Sequence, residues 1–263
     1  MSESVQQFDV IISGSGMVGA SLALALSGLG LRIAIIEAHA TKNSQSASFD
    51  DRGIALSFGT RRILQALGLW PALQDAVEPI KKIHVSEQGQ FGFARLDQAE
   101  EQVDALGYVV TARVLGMALL PAVDKLEDVT RFCPAQLQAF EVDDQQVTVE
   151  LQTADGPISL QAALLVAADG GNSTVREQLG ITVNVHDYGQ SAIVSNVVTS
   201  RPHENVAFER FTPAGPVALL PMTDKRSALV YTVENHQLQA MLGCTDDAFL
   251  QALQQRFGYR LGR

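Results

Sequence analysis

Residues 8–37 constrain the fold more than any other part of this sequence, because they alternate between strand, turn, helix and strand patterns. The first apolar run, Phe8 to Ser13, is rich in β-branched residues and has the length of a buried strand. The stretch from Ala20 to Leu29 is rich in alanine and leucine, which favour a helix. Leu31 to Ile36 has the composition of a second buried strand. This order predicts a βαβ unit of an open α/β sheet.

The turn between the first strand and the helix has the glycine spacing of a dinucleotide-binding loop. Gly14 permits a tight turn, Gly16 lets the backbone approach a pyrophosphate, and Gly19 allows close helix–strand packing. The helix amino end offers free N–H groups and partial positive charge to phosphates. Glu37 follows Gly14 at close to the spacing of about 20 residues expected for an acid that binds ribose hydroxyls. A glutamate at this position disfavours the 2′-phosphate of NADP. The pattern favours dinucleotide binding over a plain βαβ turn, and it leaves both FAD and NAD open.

Composition excludes several other classes of protein. The 263 residues are 46% hydrophobic, enough for one large domain or two interleaved ones, and the formal net charge of −10 argues against a nucleic-acid surface. The amino terminus lacks the pattern of a secretory signal, and no run of about 20 apolar residues predicts a membrane span. Cys133 and Cys244 are interpreted as buried thiols in a reducing cytoplasm, and the histidines show no metal-ligand spacing.

A second candidate ligand position follows another predicted buried strand, residues 163–168. Asp169 stands at the carboxyl end of that strand and is followed by small residues and a predicted helix over 174–179. Ligands of open α/β sheets bind at this edge. Asp169 could instead cap the helix in a turn. The run of small residues favours the ligand-binding interpretation.

Two arginines have roles that the pattern leaves open. Arg52 follows two acids and precedes an apolar turn, so it is either part of a surface ion pair or a neighbour of the cofactor. Arg113 begins a predicted helix over 113–125 and is either a solvated helix-start residue, which the pattern favours, or a cofactor contact. Pro121 predicts an interruption or a late start of this helix.

The other predicted elements are mainly strands. Three of them surround turns at Asp143-Asp144 and Asp155-Gly156 and predict an antiparallel meander, at 137–141, 146–153 and 157–161. A hairpin is predicted over 80–96, and a loop over 41–48. The β-rich last part has predicted strands at 192–199, 205–211, 217–220 and 227–233, followed by an amphipathic helix over 246–257.

Two motifs in combination resemble those of the group A flavoprotein monooxygenases, the aromatic-ring hydroxylases. They are Gly14-x-Gly16-x-x-Gly19 with Glu37, and Asp169-Gly170-x-x-Ser173-x-x-Arg176. Residues 51–57 and 209–222 are similar to the ubiquinone-biosynthesis branch, and the resemblance covers essentially the whole chain. The family also carries a Gly-Asp pair, but none of the 21 glycines here precedes an Asp. We therefore expect the C-terminal part of the family fold to be absent from this chain.

The resemblance implies FAD as the cofactor and NAD(P)H as co-substrate. It places Glu37 on the adenosine ribose, Arg52 and Arg113 near the flavin, and Asp169 on FAD and the visiting NAD(P)H. The implied reaction is hydroxylation of a polyprenylated phenol with O2 in ubiquinone biosynthesis. It also implies a cytoplasmic protein with peripheral contact to the inner membrane or to a ubiquinone-biosynthesis complex.

The resemblance and the predicted elements together give an α/β fold with two interleaved domains. A Rossmann-like FAD-binding domain, with a parallel sheet and the antiparallel meander, is predicted over 1–75 and 98–183. A β-rich substrate domain is predicted over 76–97 and 184–263.

Two other functions compete with the hydroxylase. An NAD-dependent dehydrogenase would use the same glycine loop but needs an acid–base pair that the sequence does not indicate. A non-catalytic subunit of a biosynthetic assembly would carry a vestigial nucleotide fold, against which the intact glycines and Glu37 count. Four residues are candidates by type alone for deprotonating a phenol, His186, Tyr188, Tyr231 and His236. We interpret them as structural and assign no catalytic residue.

Overall fold

The computed structural model describes residues 5–40 and 50–262, so the loop predicted over 41–48 lies outside the described residues. The strands, in chain order, are β1 (Gln6–Gln7), β2 (Val10–Ser13), β3 (Ile33–Ile36), β4 (Gly53–Ser57), β5 (Glu78–Ile80), β6 (Lys82–Glu87), β7 (Phe93–Asp97), β8 (Gly107–Thr111), β9 (Val129–Phe132), β10 (Ala135–Val142), β11 (Val147–Thr153), β12 (Gly156–Ala162), β13 (Leu164–Ala167), β14 (Gln190–Val198), β15 (Val206–Phe211), β16 (Val217–Pro221) and β17 (Arg226–Glu234). The helices are α1 (Met17–Leu26), α2 (Phe58–Ala66), α3 (Trp70–Leu73), α4 (Ala112–Val123), α5 (Thr174–Gln178), α6 (Leu238–Leu242) and α7 (Asp246–Phe257), with a 3-10 turn over Asn235–Gln237.

The described residues fall into two compact units. The first holds residues 5–40, 50, 66–72 and 113–184, and the second holds 51–65, 73–112 and 185–262. The predicted α/β class, with a parallel sheet, an antiparallel meander and a β-rich part, is confirmed.

The first unit contains the parallel sheet that carries the glycine loop. Its strands run in the order β13-β2-β3-β9, and every neighbouring pair is parallel. A second sheet, β1-β12-β11-β10, contains the predicted meander. Both faces of β2 and β3 are buried, as their continuous apolar sequences require. The shared core consists of Ile11, Ala34, Ile36, Ala135, Leu137, Val147, Val149, Leu151, Leu160, Ala162 and Val175.

The second unit is built on a six-stranded sheet in the order β14-β17-β16-β15-β6-β7. One face packs on α7, forming a core of Val217, Leu219, Leu229, Tyr231, Val233, Leu253, Phe257 and Leu261. The other face packs on a three-stranded antiparallel sheet, β4-β8-β5, through Ile80, Val109, Ala207, Met222 and Ala228. Because side chains alternate between the two faces along each strand, the two faces of this sheet have different environments.

Some predictions for individual elements were wrong in detail. The strand predicted as buried over 163–168 is β13, but Leu164 is 53% exposed because β13 forms an edge of its sheet. Helix α4 runs unbroken through Pro121, which lies in its last turn, where loss of one N–H interrupts little. Helix α1 begins at Met17, earlier than Ala20, because the helix starts directly after the glycine loop.

The two units divide the chain differently from the predicted domain boundaries. Residues 51–65 and 98–112, predicted with the nucleotide-binding domain, group with the β-rich unit. The reason is that β4 and β8 pair with each other and pack, with β5, on the six-stranded sheet. The assignment of FAD binding to one domain and substrate binding to the other stays a prediction.

Candidate nucleotide-binding site

The glycine loop leaves β2 at Ser13 and turns immediately into α1. Gly14 has a φ of +101°, in the left-handed region, and its N–H donates to the Ile36 carbonyl oxygen at 2.8 Å. A Cβ on Gly14 would lie 2.7 Å from the carbonyl carbon of Ala168 and 2.9 Å from Cα of Asp169. Both the backbone conformation and this close approach to the end of β13 therefore require glycine here.

The other two glycines have opposite surroundings. A Cβ on Gly19 would overlap the Gly14 carbonyl oxygen and lie 3.2 Å from Cγ2 of Ile12, so this glycine allows α1 to pack against β2. A Cβ on Gly16 would have no described heavy atom within 4 Å. The roles predicted for Gly14 and Gly19 match this packing, and the space beside Gly16 is open for a ligand.

Helix α1 presents its amino end to that open space. Gly16 is the N-cap residue, and the first turn carries no acidic residue. The first N–H groups of a helix have no partner within the helix, and they carry the positive end of its dipole. This corner can therefore bind a phosphate through backbone N–H groups.

Glu37 directs its carboxylate at the same loop. Its Oε2 accepts hydrogen bonds from the Ser15 N–H at 3.2 Å and from Ser15 Oγ at 2.9 Å, while Oε1 accepts from the His39 N–H at 3.0 Å. Ser15 itself is only 2% exposed. Sequence reasoning missed Ser15, although its position between Gly14 and Gly16 was a usable signal. The Glu37 carboxylate is therefore held beside the glycine loop.

Asp169 borders the loop from the neighbouring strand. The Ala168 N–H donates to the Ser13 carbonyl oxygen at 2.8 Å, which ties the end of β13 to the end of β2. Oδ2 of Asp169 accepts from the Val175 N–H at 3.3 Å, whereas Oδ1 is buried and has no hydrogen-bond partner among the described residues. Ser173, and not Asp169, is the N-cap of α5, since its side chain accepts from the Arg176 N–H. A buried acceptor without a donor is costly, and Oδ1 is such an acceptor among the described residues.

The two predicted arginines lie in different units. Arg113 is exposed at the start of α4, in the first unit, and its N–H donates to the Asp50 carbonyl oxygen at 2.8 Å. Arg52 precedes β4 in the second unit, and its carbonyl oxygen accepts from the Ala112 N–H at 3.0 Å. The structure brings Gly14, Gly16, Gly19, Glu37 and Asp169 together, while cofactor contact by these residues, as by Arg52 and Arg113, stays a prediction.

The four residues considered by type for phenol chemistry have structural or exposed settings. Tyr231 is 3% exposed in the core beneath α7, with its ring 5.3 Å from that of Phe249. His236 pairs with Glu234 at 3.2 Å at the surface. His186 and Tyr188 make an edge contact with each other, and Tyr188 is 80% exposed.

Other kinds of site are not found in the described part of the chain. No group of three or more His, Cys, Asp or Glu side chains there could hold a metal ion. Cys133 and Cys244 form no disulfide with each other, and both are only partly buried, which corrects the prediction that they are buried. Among residues 5–40 and 50–262, no helix is long and apolar enough to cross a membrane.

Curated relatives with matching sequences carry ubiquinone-related names. The ubiquinone hydroxylase UbiL of Rhodospirillum rubrum is 37% identical, over 97% of this chain and 58% of the relative. The 3-demethoxyubiquinol 3-hydroxylase of Escherichia coli is 33% identical, over 98% of this chain and 65% of the relative. The chain thus spans about three fifths of the length of these relatives.

Solved structures and a family model agree on the fold. p-Nitrophenol 4-monooxygenase PnpA of Pseudomonas putida matches with a TM-score of 0.76 at 19% identity, over 98% of this chain and 64% of that one. PqsL of Pseudomonas aeruginosa matches with a TM-score of 0.79 at 21% identity, over 95% and 67%. The model of the FAD binding domain matches residues 7–261. That match spans nearly the whole chain, and the chain therefore belongs to the FAD-binding domain family.

Proposed function

We propose that this chain is part of an FAD-dependent monooxygenase that hydroxylates a polyprenylated phenol ring in ubiquinone biosynthesis, using NAD(P)H and O2. The observation that carries the proposal is the open backbone corner at Gly16, beside the carboxylate of Glu37 and the strand end at Asp169. The names of the relatives support the substrate class.

Each part of the site has a role in holding FAD. The N–H groups at the start of α1 would bind the pyrophosphate, and Glu37 would accept hydrogen bonds from the adenosine ribose. Asp169 would use its unpartnered Oδ1 to accept a hydrogen bond from the cofactor. Arg52 and Arg113 would approach the flavin, as the family resemblance implies.

When bound, FAD would supply the redox chemistry: acceptance of hydride from NAD(P)H and activation of O2 for transfer of one oxygen atom to the ring. The residues of this chain bind and orient the cofactor and substrate and exclude water from the reacting groups. An electron-rich phenol needs no metal for this reaction, so a site built from backbone N–H groups and carboxylates suffices.

We also propose a cytoplasmic location with peripheral contact to the inner membrane or to a ubiquinone-biosynthesis complex. A polyprenyl substrate resides in lipid, so the enzyme must reach the membrane surface. Phe91, in the β6–β7 turn, is fully exposed and offers an apolar contact for this purpose. Flotation of the intact protein with liposomes that contain a polyprenyl phenol would detect the contact, and a protein that stays with neither liposomes nor partner proteins would contradict it.

The function is tested with the intact protein, including any residues that its gene encodes beyond 263. We expect it to carry FAD and to consume NAD(P)H and O2 when a polyprenyl phenol is added. With isotopically labelled O2, the label should appear in the ring product. Label derived from water, or turnover of an alcohol with NAD and no flavin, would overturn the proposal in favour of a dehydrogenase.

A further inference from the structure

The face of the six-stranded sheet opposite α7 is only partly covered. By strand register, one row across this face consists of Ile83, Ala207, Leu220, Ala228 and Asn196. The three-stranded sheet covers that row, since a Cβ on Gly53 would lie 2.6 Å from the Ala228 Cβ. Asn196 Nδ2 donates to the Asp51 carbonyl oxygen at 3.0 Å, directly before Arg52.

The next row on the same face is open and apolar except for one carboxylate. Register places Glu209 beside Val85 on β6 and Ala218 on β16, with Val230 and Val194 continuing across β17 and β14. Val194 is 43% exposed, and Val85, Glu209 and Val230 are half-buried. The row therefore forms an apolar strip. It borders β4, the strand that directly follows Arg52.

Glu209 has an unusual environment for a carboxylate on such a strip. Its side chain makes no hydrogen bond and no ion pair with any described residue, and burial raises the pKa of its carboxyl group. The next row on the same face carries Glu87, which pairs with Phe211. Unlike Glu209, Glu87 is exposed. A half-buried carboxylate that lacks a donor loses hydration without compensation, which favours a ligand that supplies the donor.

We propose that Glu209 accepts a hydrogen bond from the ring hydroxyl of the phenol substrate, which lies on this apolar strip; the inference rests on the proposed function. Val85, Ala218 and Val230 contact the ring, and the Glu209 carboxylate receives its hydroxyl. As the hydroxyl proton moves toward Glu209, negative charge grows on the phenol oxygen. This charge is delocalised into the ring and raises the electron density of the carbons that accept the new oxygen. The step moves a proton only, so it needs no oxidant or reductant.

The raised proton affinity of Glu209 suits this role. A carboxylate whose charged form is poorly solvated is a stronger hydrogen-bond acceptor and base than an exposed one. Sequence reasoning did not consider Glu209, because its setting depends on its two partner strands, β6 and β16, and on β17 beyond β16. Its position within residues 209–222, the stretch similar to the ubiquinone branch, was the one available signal.

The test compares binding of two ligands to the intact protein by calorimetry: a phenol bearing one prenyl unit, and its methyl ether. We expect the parent protein to prefer the phenol by about tenfold, the effect of one hydrogen bond to a charged acceptor. Glu209→Gln should lose most of this preference, Glu209→Asp should retain part of it, and the matched control Glu87→Gln should keep it. A Glu209→Gln protein with the parental preference, or a parent that binds both ligands equally, would overturn the inference.

Flavin content, measured in the same preparations, separates this inference from the proposed function. A parent protein without FAD contradicts the function, whereas the phenol-to-ether ratio decides the role of Glu209. If Glu209→Gln does not fold, the ratio for Glu209→Asp decides instead, and an unchanged ratio there contradicts the role.

Discussion

The glycine loop of the first unit and the open strip of the second unit are the two proposed binding surfaces, and they are built in different ways. The loop uses backbone atoms from consecutive residues, and Gly14, Gly16 and Gly19 each act through the absence of a side chain. The strip uses side chains from five strands, and Glu209 lies beside Val85 and Ala218 only because of strand register. Binding by backbone is thus encoded locally, whereas binding by side chains on a sheet is encoded by pairing between distant segments.

The largest expected effect is on stability, and it distinguishes a glycine needed for packing from a glycine needed for ligand binding in the same loop. Gly19→Ala should destabilise the protein by about 3 kcal/mol or more, because its Cβ would overlap backbone that cannot move aside. Gly16→Ala should cost no more than about 1 kcal/mol, since the space is open and alanine is only a poorer N-cap. It should nevertheless weaken FAD binding, because the methyl group enters the phosphate corner. Denaturant unfolding and FAD titration of both variants check this, and equal stability losses would break the comparison.

A smaller effect is expected at Glu37, the side chain that we propose binds the ribose. Glu37→Gln keeps the shape but removes the charge, so FAD affinity should fall by about tenfold or more. Ser15→Ala removes the Oγ bond to Glu37 but not the N–H bond, and the loss should be smaller. Fluorescence titration with FAD measures both, and a larger loss for Ser15→Ala would show that Glu37 does not bind the ribose.

Helix caps allow a direct comparison of stability in the two units. Ser173 caps α5 in the first unit, and Thr245 caps α7 in the second by accepting from the Ala248 N–H at 3.3 Å. Each substitution by alanine should cost about 1 kcal/mol. Ser173→Ala should also weaken FAD binding, because α5 holds the Asp169 loop, whereas Thr245→Ala should not. Equal effects on FAD affinity would contradict the separation of the two units.

The smallest effect is a pH dependence that belongs to the second unit. His84 is buried on β6, and burial together with the charges of Arg260 and Arg95 lowers its pKa. Because the folded state binds the proton less well than the unfolded state, the stability that neutral His84 provides is present above about pH 6.5 and is lost as the pH falls through the lowered pKa. His84→Gln should flatten the fall in melting temperature below about pH 6.5. Parallel pH profiles for His84→Gln and the parent protein would contradict this assignment.

The sequence predicted elements well where their pattern is contiguous. Helix α7 matches its predicted range of 246–257, and the meander follows from its Asp-rich turns. It did not predict β9, whose short segment Val129–Phe132 mixes apolar and polar residues at a sheet edge. It also did not predict β4, which pairs with β8 about fifty residues later, and this pairing moves 51–65 and 98–112 into the second unit.

The same distinction holds for the sites. The glycine corner and Glu37 could be predicted because a turn, a helix start and a strand end follow one another in the chain. Asp169 could be predicted as a residue at a strand end, but its approach to Gly14 depends on the pairing of β13 with β2. The environment of Glu209 could not be predicted, since no local pattern reports the neighbours of a residue across a sheet.

The most direct test of the central claim is to measure the nucleotide bound by the intact protein after purification and by equilibrium titration. We expect about one FAD per chain, bound more tightly than NADH, and at least about tenfold weaker binding by Gly16→Ala. A protein that purifies without flavin, binds NADH more tightly than FAD, and responds equally to both nucleotides when Gly16 is changed would contradict the claim that the glycine corner holds FAD.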